Sequence, residues 1–170
     1  MTTVHIETAR LILRTVTLDD VAEVALRWNL DEPPISRDEA SGRVQWMLAN
    51  HERNAAGRLV HLCLAIVQRE TGRIIGWCGL DQRDASKAHP VLFYLLQAAH
   101  WGQGLATEAA RAVLDYAFGE LALPRVDAAA AAENAASVRV LEKIGMPRLG
   151  HDEEGGHAFS LTRDEFLSMG

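Results

Sequence analysis

The stretch from Val91 to Phe118 constrains the fold more than any other part of the sequence. An apolar segment, Val91 to Leu96, has the composition of a strand, and two glycines follow it at positions 102 and 104. An amphipathic helix begins directly after them, with apolar residues at helical spacing: Leu105, Ala109, Val113 and Ala117. A strand, a glycine turn and a helix N-terminus form a geometry that binds phosphates, because the first helical turn leaves backbone N–H groups unpaired. A tight turn without a ligand is the alternative.

The same stretch resembles the pyrophosphate loop of the GNAT acyltransferase superfamily. Residues 101–109, from Trp101 through both glycines to Ala109, are most similar to the branch typified by ribosomal-protein N-terminal acetyltransferases, the Rim type. A second match covers residues 133–146, which include Asn134, Ser137 and Gly145. A third covers residues 8–14. The three matches lie in the family order, so the resemblance extends over the whole chain.

Together, pattern and resemblance predict an α+β fold in which residues 1–170 form a single N-acetyltransferase domain. The predicted strands cover residues 6–17, 59–68, 73–81, 91–96, 125–130, 146–151 and 157–161. The predicted helices begin after Thr17, after Ser36, at Leu105 and after Asn134. The expected sheet is mixed and mostly antiparallel, with about seven strands and helices on both faces. The resemblance implies that strands four and five splay apart into a V-shaped cleft for the cofactor.

The cofactor that the resemblance implies is acetyl-CoA or CoA. Backbone N–H groups of the glycine loop would hold its pyrophosphate, and the backbone of the fourth strand would pair with its pantetheine arm and stabilise the oxyanion. The implied binding residues are Leu95, Leu96, Gln97, Trp101, Gly102, Gln103, Gly104, Leu105, Ala106, Thr107 and Asn134. Asn134 also stands where a helix N-cap belongs, and both roles are compatible.

Catalytic residues are less clearly indicated by the sequence. Ser137 is the candidate general acid for the leaving thiolate, because Leu141 and Lys143 occupy the region where the family more often has Tyr. A capping role in the helix is the alternative for Ser137. Val91 stands where many relatives carry a Glu base, so no base is assigned. The candidates at strand ends are His89, His100, Asp81 and Asp84, and a water chain is a further possibility.

Composition narrows the partners and the compartment. The formal net charge of −6 argues against general nucleic-acid binding, and no apolar run approaches the roughly 20 residues that span a bilayer. The polar N-terminus lacks the apolar core of a signal peptide. The two cysteines, Cys63 and Cys78, lie in apolar segments and are expected to be buried free thiols, with no metal-ligand spacing around them. We therefore expect a cytoplasmic monomer or homodimer with a small-molecule or peptide amine as its partner, and neither nucleic acid nor membrane.

The function that these features predict is acetyl transfer from acetyl-CoA to a primary amine, either a protein N-terminus or a small amine, by direct attack in a ternary complex. A CoA-binding sensor without turnover is the main alternative, because the Glu is missing at position 91. A dinucleotide-binding oxidoreductase is excluded, since Thr107 replaces the third glycine of that fingerprint and Leu123 and Pro124 stand where its acid belongs. The acids of the loop after the first helix, Asp31 and Glu32, are predicted to attract the cationic acceptor. The tryptophans Trp28 and Trp46 are predicted to pack in the core.

Overall fold

A computed structural model describes residues 3–170. They form one sheet with helices on both faces. The strands are β1 (His5–Glu7), β2 (Leu11–Arg14), β3 (His61–Gln68), β4 (Ile74–Asp81), β5 (Val91–Leu96), β6 (Arg125–Ala130), β7 (Arg148–His151) and β8 (His157–Thr162). The helices are α1 (Val21–Arg27), α2 (Arg37–His51), α3 (Leu105–Phe118), α4 (Ala135–Lys143) and α5 (Arg163–Met169). No helix in this described part is long and apolar enough to cross a membrane.

The sheet has eight strands in the order β1-β2-β3-β4-β5-β6-β8-β7, and every neighbouring pair is antiparallel except β5 and β6. The predicted α+β class is confirmed, with eight strands instead of about seven. The extra strand arises because residues 6–17 are not one continuous strand. They turn back at Thr8, whose hydroxyl accepts a hydrogen bond from the Leu11 amide at 3.1 Å, and form the β1–β2 hairpin.

Strands β5 and β6 diverge soon after they meet. Val91 and Asp127 are the paired position between them, and the Asp127 amide donates to the Pro90 carbonyl at 2.8 Å. Beyond Val91 the two strands separate, so the side of β5 that faces β6 is open toward its C-terminal end. The strand pair that was predicted to splay is therefore this one, which is fifth and sixth once the first strand is divided in two.

Two apolar layers cover the sheet and hold the helices. One face of β3 packs with the buried stripe of α3, which includes Ala109, Val113 and Phe118, as the periodicity predicted. The other face packs with α1 and α2 through Val24, Val44 and other small apolar residues. Each layer is built by alternate residues of the same strand, as in any sheet buried on both sides. The free thiols of Cys63 and Cys78 are both buried, in agreement with the prediction.

The C-terminal helix α5 was not predicted. Thr162 caps it, because its hydroxyl accepts from the Glu165 amide at 3.2 Å while the Glu165 carboxylate accepts from the Thr162 amide at 2.8 Å. This reciprocal pair is a capping box, and a Thr followed three residues later by Glu is visible in the sequence. The helix could therefore have been predicted from these two residues, which follow the last predicted strand.

Candidate active site

Two cavities open on the two sides of strand β5, and Leu95 lines both. The first, here named the glycine-loop cavity, has a volume of about 510 Å³ and lies between the diverging strand β5, the start of α3 and helix α4. The second, named the aromatic cavity, has a volume of about 1140 Å³ and lies between the sheet and helices α1 and α2. The Leu95 side chain is 56% exposed, which is unusual for leucine in a strand and is explained by its position between the two cavities.

The glycine loop has the backbone conformation that an anion site requires. Gly102 and Gly104 have φ values of +72° and +76°, which L side chains rarely adopt. Gly104 is the N-cap of α3, so the amides of the first helical turn are without helical partners and face the loop. Predicted cofactor residues that line the glycine-loop cavity are Leu95, Leu96, Trp101, Gly102, Gly104, Leu105, Ala106, Thr107 and Asn134. Gln97 and Gln103 are not among its lining residues.

Arg10 holds the glycine loop from outside. Its guanidinium donates to the Gln103 carbonyl at 2.7 Å and to Glu108 at 2.7 Å, and its amide also donates to Glu108 at 2.8 Å. Thr8 donates a further hydrogen bond to the same carboxylate at 2.6 Å. Partial burial by itself would raise the pKa of Glu108, but these hydrogen bonds outweigh it and lower the pKa, so the carboxylate stays ionised. The β1–β2 turn is therefore tied to both the loop and the first turn of α3.

We expect Arg10→Ala to raise the KM for acetyl-CoA about tenfold, because hydrogen bonds to a charged partner contribute roughly 1.5–3 kcal/mol. The acceptor KM and kcat should change little, since Arg10 contacts the loop and not the aromatic cavity. Arg69→Ala is a matched control, because Arg69 donates to the Thr8 carbonyl of the same turn at 2.7 Å. The measurement is the acetyl-CoA KM in steady-state kinetics. Equal effects of both variants would contradict the role of Arg10 in holding the glycine loop.

The backbone of β5 is directed alternately toward β4 and toward the open side. The Gln97 amide donates to the Ile75 carbonyl on β4 at 2.9 Å. Because hydrogen-bonding directions alternate along an antiparallel strand, the Leu95 amide also faces β4, and those of Tyr94 and Leu96 face the open side. The Leu96 carbonyl accepts the indole N–H of Trp101 at 2.9 Å. Of the three residues predicted to pair with the pantetheine arm, Leu96 is thus the one whose amide faces the glycine-loop cavity.

Asn134, Ser137 and Tyr94 meet across the opening between β5 and β6. The Asn134 side chain accepts from the Ser137 amide at 3.0 Å, so Asn134 is the N-cap of α4 and the capping partner on Ser137 is its backbone. The Ser137 hydroxyl instead lies 2.8 Å from the Tyr94 hydroxyl, and Tyr94 also donates to the Ser137 carbonyl at 3.0 Å. Burial raises the pKa of Tyr94, and the hydrogen bond to Ser137 offsets only part of this effect. The phenol is therefore protonated at neutral pH. Tyr94 was not identified from the sequence, and its hydroxyl is a candidate partner for Ser137 in proton transfer.

Aromatic rings from four parts of the chain line the aromatic cavity. Trp28 and Trp46 come from the helical side, and Trp77 and Phe93 come from the sheet. The ring centroids of Trp28 and Trp77 are 5.3 Å apart, as predicted for packed residues. The core placement predicted for Trp46 is wrong, because its side chain is 42% exposed and faces the cavity beside His61, 4.9 Å from that ring. The inward face of α2 packs on the sheet through Ala40, Val44 and Met47, and Trp46 lies beside this buried stripe, so its ring extends into the cavity.

His61 is a buried histidine that the sequence did not single out. Its Nδ1 atom lies 3.4 Å from Asp81, and its ring stacks against Phe93 with centroids 6.2 Å apart. Burial lowers the pKa of His61, and the positive charge of Arg83 lowers it further, so the ring is neutral at pH 7. His61 and Asp81 share a row of the sheet with Val91, which is four residues from Leu95, or about 13 Å along the strand. This pair therefore lies at the end of the cavity that is far from Leu95.

The other predicted polar residues divide between the cavities. His100, Arg139 and Lys143 line the glycine-loop cavity, and Asp81 and Asp84 line the aromatic one. Asp31 accepts a hydrogen bond from the Ala98 amide at 2.7 Å and so anchors the segment between β5 and the glycine loop. Neither Asp31 nor Glu32 is among the residues that line the aromatic cavity. Among residues 3–170, no group of three His, Cys, Asp or Glu side chains is arranged to hold a metal ion.

A glycine turn at a helix N-terminus, next to two diverging strands, is the arrangement expected of an acyltransferase that binds acyl-CoA, and comparison with known families agrees. Residues 10–147 match the family model described as Acetyltransferase (GNAT) domain. The chain therefore belongs to the GNAT acetyltransferase family, and it is an acetyltransferase. Enzymes of this family generally use acetyl-CoA.

Similar proteins cover nearly the whole chain. The uncharacterized N-acetyltransferase p20 of Bacillus licheniformis is 28% identical over 178 residues, which is 94% of this chain and 96% of that protein. The ribosomal-protein S5 alanine acetyltransferase of Vibrio fischeri has the same fold, with a TM-score of 0.80 at 19% identity, and covers 96% of this chain and 98% of its own. A chimera of the spermidine N-acetyltransferase SpeG from Vibrio cholerae superposes with a TM-score of 0.73 at 18% identity, over 94% of this chain and 99% of its own.

Proposed function

We propose that this protein transfers the acetyl group of acetyl-CoA to a primary amine, either a protein N-terminus or a small amine, by direct attack in a ternary complex. The observation that carries the proposal is the meeting of the two cavities at Leu95, with an anion-binding glycine loop on one side only. The cofactor enters from the loop side and the amine from the aromatic side. The transfer then needs no covalent acyl-enzyme.

The glycine-loop cavity has both the open space and the polar groups that CoA requires. A Cβ placed on Gly102 would have no neighbouring atom within 4 Å, so the space above that glycine is open for an anionic group. The loop amides would hold the pyrophosphate, and Arg139 and Lys143 are the cations of α4 that would face the remaining phosphate. Asn134 and the backbone of Leu96 would contact the pantetheine arm. Acetyl-CoA supplies an activated acyl group as a thioester.

Residues on β5 and α4 are placed to manage the charges of acyl transfer. As the amine nitrogen forms its bond to the acetyl carbon, the Leu96 amide stabilises the negative charge on the carbonyl oxygen. The carbon–sulfur bond then breaks, and Ser137 donates its proton to the departing sulfur. Tyr94 passes its own proton to Ser137 and regains one from water, so both hydroxyls are restored. The nitrogen loses its extra proton to water in the aromatic cavity, because Val91 supplies no carboxylate there. Amide and free thiol are the products.

The experiment for this proposal combines binding with turnover. Acetyl-CoA and CoA should raise the melting temperature, while NADH and NADPH should not, because a ligand that binds only the native state stabilises it. Free thiol should then be released when acetyl-CoA is mixed with a panel of primary amines. Absence of CoA binding at millimolar concentration would refute the site, and binding without thiol release from any amine would favour a CoA sensor. We further propose a cytoplasmic monomer or homodimer in which residues 1–170 form a single domain.

A further inference from the structure

The charged side chains around the aromatic cavity neutralise one another. Its lining residues include three acids and three Lys or Arg residues: Glu39, Asp81, Asp84, Arg43, Arg83 and Lys87. Arg43 pairs with Glu39 at 2.6 Å, and Arg83 pairs with Asp81 through its Nε at 2.7 Å. The hydrogen bonds from Arg83, which outweigh partial burial, lower the pKa of Asp81 to about 2, so this pair stays ionised across the neutral range.

The same two arginines also cover the faces of two tryptophans. The Arg43 guanidinium lies 4.7 Å from the ring centroid of Trp28, and that of Arg83 lies 4.9 Å from the ring centroid of Trp46. An aromatic face attracts a cation, but these two faces already hold cations of the chain itself. The tryptophans are therefore not arranged as a cage for a second ammonium group of a ligand.

The remaining two charges are at the exposed mouth of the cavity. Asp84 and Lys87 are both exposed, and the Lys87 charge acts on the Asp84 carboxyl together with the hydrogen bonds from Ser86 that lower its pKa. Water and salt screen charges at such positions, so they contribute little to the binding of a buried group. His61, the buried polar ring at the far end, is neutral.

Resting on the transfer proposed above, we propose that the acceptor is a primary monoamine with an uncharged, apolar body that extends from Leu95 toward Trp46. The reacting amine can lose its proton, whereas a second ammonium group in the body would have to leave water for a cavity in which Glu39 and Asp81 already pair with arginines and Asp84 lies at the solvent-exposed mouth. Burying such a charge without a partner is costly, and burying methylene or aromatic groups against the ring surface that the two arginines leave exposed is favourable.

A comparison of amines of equal length tests the charge part of the inference. Hexylamine and 1,5-diaminopentane have seven heavy atoms each and differ in one terminal group. We expect kcat/KM to be at least about tenfold higher for hexylamine, with 2-phenylethylamine as good or better and spermidine poor. From butylamine to heptylamine, kcat/KM should rise roughly two- to fourfold per methylene. Preference for the diamine or spermidine would overturn this inference alone, whereas intact acetyl-CoA binding without turnover of any amine would overturn the transfer as well.

A variant of Trp46 tests the position of the apolar body. Trp46→Ala should flatten the rise along the alkylamine series and leave the acetyl-CoA KM unchanged, and Trp46→Phe should restore most of the slope. Leu26→Ala is the matched control, because Leu26 is also an exposed apolar residue of the helical layer, at 54%, and does not line the cavity. An unchanged slope in Trp46→Ala, or an equal loss in Leu26→Ala, would remove Trp46 from the acceptor site.

Discussion

Gly104→Val is expected to abolish the binding of acetyl-CoA and CoA, so that neither raises the melting temperature of the variant. Gly104 has a φ of +76°, and a Cβ there would lie 3.5 Å from the Arg10 guanidinium. A β-branched residue cannot adopt this conformation without strain of about 1–3 kcal/mol, so the loop must change shape. A changed loop no longer directs its amides at a common anion. The hydrogen bond from Arg10 to the Gln103 carbonyl, which holds the loop, is disturbed as well.

Gly72→Val separates the loss of binding from simple backbone strain. Gly72 has a φ of +69°, lies in the turn between β3 and β4, and a Cβ placed on it would meet no atom within 4 Å. Both variants should lose similar stability in denaturant unfolding, and only Gly104→Val should lose the CoA-dependent rise. A Gly104→Val protein that still binds CoA with the affinity of the wild type would show that the glycine loop is not the pyrophosphate site.

Ser137→Ala is expected to lower kcat by on the order of 10²-fold with little change in the acetyl-CoA KM, since general-acid catalysis contributes about this much. The capping explanation predicts a different result, but the group that Asn134 caps is the Ser137 amide, and alanine keeps that amide. The helix should therefore remain capped, and stability should fall by no more than the bond to Tyr94 contributes, about 1 kcal/mol.

Tyr94→Phe provides the second half of the test. If the phenol restores the proton that Ser137 donates, Tyr94→Phe should lower kcat in the same direction, and the double variant should be little worse than Ser137→Ala, because the two hydroxyls act as one unit. Turnover at the wild-type rate in Ser137→Ala would end the proposal of a hydroxyl acid. Additive losses in the double variant would instead assign independent roles to the two hydroxyls.

Features that depend on neighbouring residues in the sequence were predictable. The buried stripe of α3, the N-caps at Ser36 and Asn134, and the turn after Gly104 each arise from local spacing or backbone preference. The strand over residues 125–130 was also predicted, although its three alanines lower its intrinsic strand propensity. The capping box that begins α5 belongs to this class as well.

Features that depend on residues distant in sequence were not predictable. Arg10 meets Glu108 across 98 positions, and Tyr94 meets Ser137 across 43, so no local pattern could pair them. Trp46 was assigned to the core because helical periodicity identifies an inward face but does not tell whether a residue at the margin of that face meets a strand or a cavity. The ion pairs that neutralise the aromatic cavity could not be predicted either, because the net charge of a sequence does not tell where its charged side chains lie in the fold.

The divergence of β5 from β6 has a consequence for the cofactor itself. A sheet that opens in its middle carries an interior edge, and the backbone groups along that edge are a template for another extended chain. In the proposed complex, a pantetheine arm with its amides would occupy this edge as a missing strand would, so the co-substrate would complete the sheet. Affinity for acetyl-CoA and resistance to unfolding would then depend on the same hydrogen bonds, and the supply of the co-substrate would set how firmly the two halves of the sheet are joined.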